Sequence, residues 1–115
     1  MARPLRTDIE IDKYISRIIL QTNHHAKNVD AVIMPLSQSV RSRINLNIDS
    51  VQVFERDGIL GRACWVTLNG KRYVFSYNYQ NQEIDLRQRS TQGVVVDTFN
   101  NGTSMQQIQR TVNSM

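Results

Sequence analysis

At Asp49 the spacing of apolar residues changes, and that change limits the folds open to this chain. Before it, apolar residues recur at steps of three and four; after it, they alternate with polar ones. The first period belongs to helices that bury one stripe, and the second to strands that bury one face. A chain that is helical first and stranded afterwards must pack helices against an antiparallel sheet, because no helical crossovers remain to join parallel strands.

In the first half, Thr7-Asp8-Ile9-Glu10 has the form of a capping box, a threonine cap answered by a glutamate three residues on. Ile11, Ile15, Ile18 and Ile19 follow at helical spacing. Asp8, Glu10 and Asp12 sit in the opening turns, where the helix dipole favours negative charge. These signals predict a helix from Asp8 to His25. A second helical pattern runs through Val29, Val32, Ile33, Leu36, Val40 and Ile44. Pro35 lies inside it and should kink or restart the helix, since proline donates no N–H.

In the second half, Val51 and Val53 begin the alternation and Asp57-Gly58 reads as a hairpin turn. Leu60, Cys64, Val66 and Leu68 share one parity of the next strand. Asn69-Gly70 is the strongest hairpin signal in the chain. A third strand runs from Lys71 to Tyr79, a turn falls at Gln80-Asn81, a fourth strand spans Glu83 to Arg89, and a fifth spans Gly93 to Phe99. Thr103-Ser104-Met105-Gln106 reads as a second capping box before a short helix with Met105, Ile108 and Val112 on one face. The expected fold is α+β: two N-terminal helices, a five-stranded antiparallel meander and a short C-terminal helix. At 115 residues this is a single domain over 1–115.

The same sequence bounds the setting. One cysteine, Cys64, allows no internal disulfide and suits a reducing cytoplasm. In the apolar run Ala63-Cys64-Trp65-Val66 it reads as a buried, inert thiol. No apolar run follows the N-terminal arginines, so no signal peptide is expected. Ile18-Ile19-Leu20 and Val94-Val95-Val96 are far too short to span a bilayer, so no membrane is expected either. The formal charge of +4 is compatible with an anionic partner but is spread without a long basic run.

Four aromatics, Tyr73, Phe75, Tyr77 and Tyr79, share one parity of the third strand. Such a row can stack a base, or it can cover the helices as core. Three of the four rings carry a hydroxyl that wants a partner or water, which favours a half-open face. Arg62, Lys71, Arg72, Arg87 and Arg89 lie on the same or neighbouring strands and suit phosphate. His24-His25 are adjacent and cannot both face one metal from a regular helix, and no carboxylate or cysteine stands at ligand spacing, so no metal is expected. There is no GxSxG, Walker-type or HExxH pattern, and no cofactor signature. Glu83 and Asp85 share a strand face, as surface carboxylates commonly do. Asn101-Gly102-Thr103 has the form of a glycosylation acceptor but reads as a turn and helix cap.

The run Tyr73 to Tyr79, the strand Ile84-Asp85-Leu86-Arg87, and Gly93 to Phe99 with Asn100, Thr103 and a closing helix are similar to a phage family, the Thoeris anti-defence sponge proteins. The resemblance covers about the last half of the chain. It implies non-enzymatic sequestration of cyclic nucleotide signals by oligomers, through aromatic, arginine and asparagine side chains.

The resulting expectation is a non-catalytic binding protein for a small anionic nucleotide. Tyr73, Phe75 or Tyr77 would stack the base, Arg62, Arg87 or Arg89 would meet phosphate, and Asn100 would bond sugar or base. The alternatives are a single-stranded nucleic-acid binder using the same strip, and a protein-interaction or inhibitor module encoded on a mobile element, of the integron-cassette type. The apolar stripe of the two N-terminal helices, from Ile9 to Val40, exceeds what one small sheet needs, so a homo-oligomer packed through those helices is expected.

Overall fold

The computed structural model describes residues 2–56 and 59–115, with side chains for all of these except Ala2, 23–25 and 55–62. The element order is β1 (Ala2–Leu5), α1 (Asp8–His25), α2 (Ile33–Arg43), β2 (Ser50–Arg56), β3 (Ile59–Leu68), β4 (Lys71–Asn78), β5 (Glu83–Gln88), β6 (Val95–Phe99) and α3 (Met105–Asn113). The class is α+β, as expected. The sheet has six antiparallel strands rather than five, in the order β1-β2-β3-β4-β5-β6. The strand missing from the expectation is β1, which pairs with β2 through Ala2↔Phe54 to Leu5↔Val51. Four residues are too few to show a period, and Pro4 argues against a strand except at an edge, which is where β1 lies.

Helix α1 has the limits its cap dictates. The Glu10 backbone N–H donates to Thr7 Oγ1 at 3.1 Å, and the Thr7 hydroxyl and Arg6 N–H donate back to Glu10 Oε1 at 3.3 Å each. Pro35 restarts the second helical stretch. Turns occupy residues 27–32, and α2 begins at Ile33, which puts Pro35 in the first turn where its missing N–H costs nothing. The cap of α3 is one residue later than expected. Ser104 accepts from the Gln107 N–H at 3.1 Å, whereas the Thr103 hydroxyl accepts from the Asn100 N–H at 2.9 Å and closes the preceding turn.

The β3–β4 hairpin turns at Asn69 (φ 51°) and Gly70 (φ 80°), the positive pair that an Asn-Gly turn supplies. Its Asn69 N–H donates to Asp49 Oδ1 at 3.0 Å, and the same carboxylate accepts from Asn45 N–H through Oδ2 at 2.9 Å. Asp49 is therefore a buried anchor between the α2–β2 loop and the hairpin. The expected turn at Asp57-Gly58 lies outside the described residues.

All three helices cover one face of the sheet. Its inward residues include Val51, Val53, Val66, Leu68, Tyr73, Ile84, Leu86 and Phe99. Two apolar clusters form there. The larger joins α2 and α3 to β3–β6, with Val29, Leu36, Leu86, Phe99, Ile108 and Val112 at its centre. The smaller joins α1 to β1 and β2 through Leu5, Ile11, Tyr14, Val51 and Val53. Ile18, Ile44 and Cys64 touch both. The outward face carries Ala63, Trp65, Thr67, Arg72, Val74, Ser76, Asp85 and Arg87.

Asn101 ties the helical layer together at its far end. Its Oδ1 accepts from the N–H groups of Ala31 (2.8 Å) and Val32 (3.1 Å), and its Nδ2 donates to Lys27 O and Asp30 Oδ1, both at 2.8 Å. A side chain so used is a structural clip, in keeping with its reading as a turn rather than a glycan acceptor. No helix among the described residues is long and apolar enough to cross a membrane.

Candidate functional site

The two apolar clusters do not close on one another. A cavity of about 160 Å³ remains between α1, α2 and the inward face of the sheet. Its walls are largely apolar: Ile11, Ile15 and Ile18 from α1, Ile33, Leu36 and Val40 from α2, and Val51, Val66, Phe75 and Ile84 from the sheet. The cavity exists because α1 rests on the narrow β1–β2 end of the sheet, whereas α2 packs over its middle. The exposed Gln21 and Tyr79 mark its mouth.

A few polar groups interrupt these walls. Tyr14 and Cys64 interact there, and burial is the main reason both are neutral. Burial pushes the Cys64 thiol up to about 12 from an ordinary 9.0, against a smaller opposing effect of the Tyr14 hydrogen bond. Burial likewise raises Tyr14 well above 10.0, with Cys64 adding to the shift. Cys64 is thus a half-buried, protonated thiol in the cavity wall. Ser37 and Ser76 add hydroxyls. The charged group at the wall is Arg41, which α2 projects toward α1. Its Nε meets Asp12 Oδ1 at 3.0 Å and a terminal nitrogen meets Asp8 Oδ1 at 3.1 Å. The hydrogen bond that Arg41 donates to Asp12, partly opposed by desolvation, raises the guanidinium above its ordinary range, so it stays charged and paired.

On the outward face lies a shallow polar groove of about 480 Å³, lined by Ala63, Asn78, Asp85, Arg87 and Thr91 together with Ser76, Tyr77 and Tyr79. Asp85 is buried, and its Oδ2 accepts from Asn78 Nδ2 at 3.2 Å and faces a terminal nitrogen of Arg87 at 3.4 Å. The other terminal nitrogen of Arg87 donates to Gly93 O at 2.9 Å. That contact folds the β5–β6 loop over the groove. It needs Gly93, because a Cβ there would stand 1.8 Å from Gln88 O.

The residues expected to bind ligand divide between these places. Tyr73 is buried in the larger cluster and is core. Phe75 and Tyr77 line the cavity, and Tyr77 also reaches the groove with Arg87. Arg87 leaves β5 on the face opposite Phe75, since it pairs with Val74 while Phe75 pairs with Leu86. Arg89 is exposed just past β5 at φ 70°, with its N–H on Arg72 O at 2.9 Å. Asn100 makes the turn before α3, its Oδ1 accepting from Gly102 N–H at 2.8 Å. The side chains of Arg62, His24 and His25 lie outside the described residues. Among the described residues, no group of three or more His, Cys, Asp or Glu could hold a metal ion.

Tyr14 is the site residue that sequence reasoning passed over. It falls three residues after Ile11 and so lies on the apolar stripe, but its polar tip disguised it among isoleucines. Along the stripe, Ile18 packs against both clusters, while Ile9 and Leu20 are exposed apolar residues of α1.

Residues 11–109 match the model of a family described as "Integron cassette protein VCH_CASS1 chain". The chain belongs to that family. The match takes in α2, β2–β6 and most of α1 and α3, hence every element that builds the cavity, and it stops short of β1. As an integron cassette protein, the chain is of mobile-element type. The matched family is not the phage sponge family expected from the C-terminal half, and the match gives no support to that likeness. No curated protein matches the chain.

Proposed function

We propose that this integron cassette protein is a non-catalytic binding protein whose cavity takes a small, predominantly apolar molecule about the size of one aromatic ring. The observation that carries the reading is the cavity itself. A largely apolar space of this size has room for a ring such as benzene, and neutral Tyr14 and Cys64 offer a polar point inside it. Filling it removes apolar ligand surface from water at about 25 cal/mol per Å².

The same geometry narrows the nucleotide expected from the sequence. Arg87, beside Tyr77, is matched by Asp85 at 3.4 Å, and Arg41 is matched by Asp8 and Asp12, so neither contributes unpaired charge for a phosphate. A ring-like moiety suits the cavity better than a phosphorylated one.

Ligand-observed NMR with anisole, indole and a panel of cyclic and linear nucleotides tests this. Anisole or indole should bind, and Ser37→Phe, which fills the cavity from α2, should abolish it. Absence of binding by either ring compound at millimolar concentration would overturn the reading, as would nucleotide binding that survives Ser37→Phe.

Assembly into a homo-oligomer through α1 is a separate proposal. Ile9 and Leu20 are both exposed and, at 100° per residue over eleven residues, project within about 20° of each other. Sedimentation of the wild type beside Leu20→Asp tests it, because a carboxylate there should split an apolar interface.

A further inference from the structure

The cavity and the outward groove are not separate places. Ser76, Tyr77 and Tyr79 line both. They meet at the end of β4, where Tyr77 and Tyr79 stand edge to face with ring centroids 4.8 Å apart. One space is apolar and ring-sized, and the other is polar. A molecule seated in the first and emerging past Tyr79 would arrive over the second.

We propose that the ligand is bipartite: an aromatic or short aliphatic body in the cavity joined to an uncharged, hydroxyl-rich head in the groove. The proposal rests on the reading that the cavity binds a small apolar molecule. The character of the head follows from the groove's chemistry. Asp85 and Arg87 compensate one another, so a head of either charge would leave one of them opposed. Ser76, Tyr77 and Thr91 bring hydroxyls that both donate and accept, and these make no hydrogen bond to other described residues. A mixed set of donors and acceptors around a balanced ion pair matches a sugar-like head rather than a phosphate, a carboxylate or an amine. The edge-to-face tyrosines add an apolar flank of the kind that packs on the C–H face of a hydroxylated ring.

Titration calorimetry on the full chain tests this with two probes that share a ring and an ether oxygen: phenyl β-D-glucoside, which carries the head, and anisole, which lacks it. The glucoside should bind at least tenfold more tightly. The variant Thr91→Val, whose residue lines the groove but not the cavity, should weaken the glucoside several-fold and leave anisole unchanged, which also shows that the variant folds. Ser37→Phe should abolish both. Equal binding of the two probes by the wild type would overturn the bipartite ligand and leave the cavity reading standing. Binding of neither would overturn both. Glucoside binding that persists in Ser37→Phe would place the sugar in the groove without the body in the cavity, and would also overturn the proposal.

Discussion

The two ends of the helical layer are packed to different standards. Under α2 and α3 the sheet meets a continuous core in which Val29, Leu86 and Phe99 are wholly inaccessible, and Ile108 nearly so. Its flanks are fixed by directional bonds: Asn101 holds the α1–α2 turn, and Arg43 donates to the carbonyls of Val112, Asn113 and Met115 at 2.9–3.0 Å to close the end of α3. Under α1 the core is a five-residue cluster, the fastening is the exposed pair of carboxylates on Arg41, and a cavity is left beside it. Close packing is the rule in protein interiors, and a void forfeits contacts that its walls would otherwise make. The contrast leads to the expectation that more of the stability lies in the α2–α3 half than in the α1 half.

The sharpest way to break this comparison is to cut equal apolar groups from both ends. Leu86→Ala, which removes three carbons from the filled core just as Ile15→Ala does from the cavity side, should cost about 2–5 kcal/mol. Ile15→Ala, at the half-buried cavity wall, should cost well under half of that, because its loss enlarges a space that already exists. Urea unfolding of both variants decides it, and equal losses would mean that α1 is packed as firmly as the rest.

Next in size is the clip. Asn101→Ala removes four side-chain hydrogen bonds, partly replaced by water, and should cost about 2 kcal/mol at roughly 0.5–1 kcal/mol net for each. Hydrogen exchange should then show faster opening of residues 27–32 with little change in β2 and β3. A uniform change across the molecule would count against the two-part picture.

Alkaline pH probes the cavity side selectively. Cys64 and Tyr14 have folded-state values raised above their unfolded ones, so the folded chain holds its protons longer than the unfolded chain does. Their contribution is fully present below about pH 9 and is lost as pH climbs toward 12, with stability falling along the way. Cys64→Ala should flatten that fall, and thermal melts between pH 8 and 11 measure it. A thiol reagent at pH 8 should label native Cys64 far more slowly than the urea-unfolded chain.

The smallest effect is expected at Arg41. Its carboxylate partners are mostly exposed, so Arg41→Leu should change stability by about 0.2–1 kcal/mol, and less in high salt. A loss several times larger would make Arg41 a principal fastening of α1 and would narrow the difference between the two ends.

What the sequence by itself determined is what local chemistry determines. The Thr7–Glu10 box set the start of α1, Pro35 restarted α2, and Asn69-Gly70 turned β3 into β4, because each depends on a few adjacent backbone groups. Parity put Tyr73, Phe75 and Tyr77 on one face for the same reason. Local signals were less decisive where neighbouring residues compete, so the cap of α3 fell to Ser104 rather than Thr103. Everything that depends on distant segments was left to the tertiary structure. β1 is a strand only because β2 offers it an edge, and α1 leaves a cavity only because that edge holds it away from the middle of the sheet. One row of rings is therefore divided between core at Tyr73 and wall at Phe75 and Tyr77. Arg87, three positions from Ile84 in the sequence, serves the opposite face, because alternation separates odd from even residues but the helices choose which set they cover.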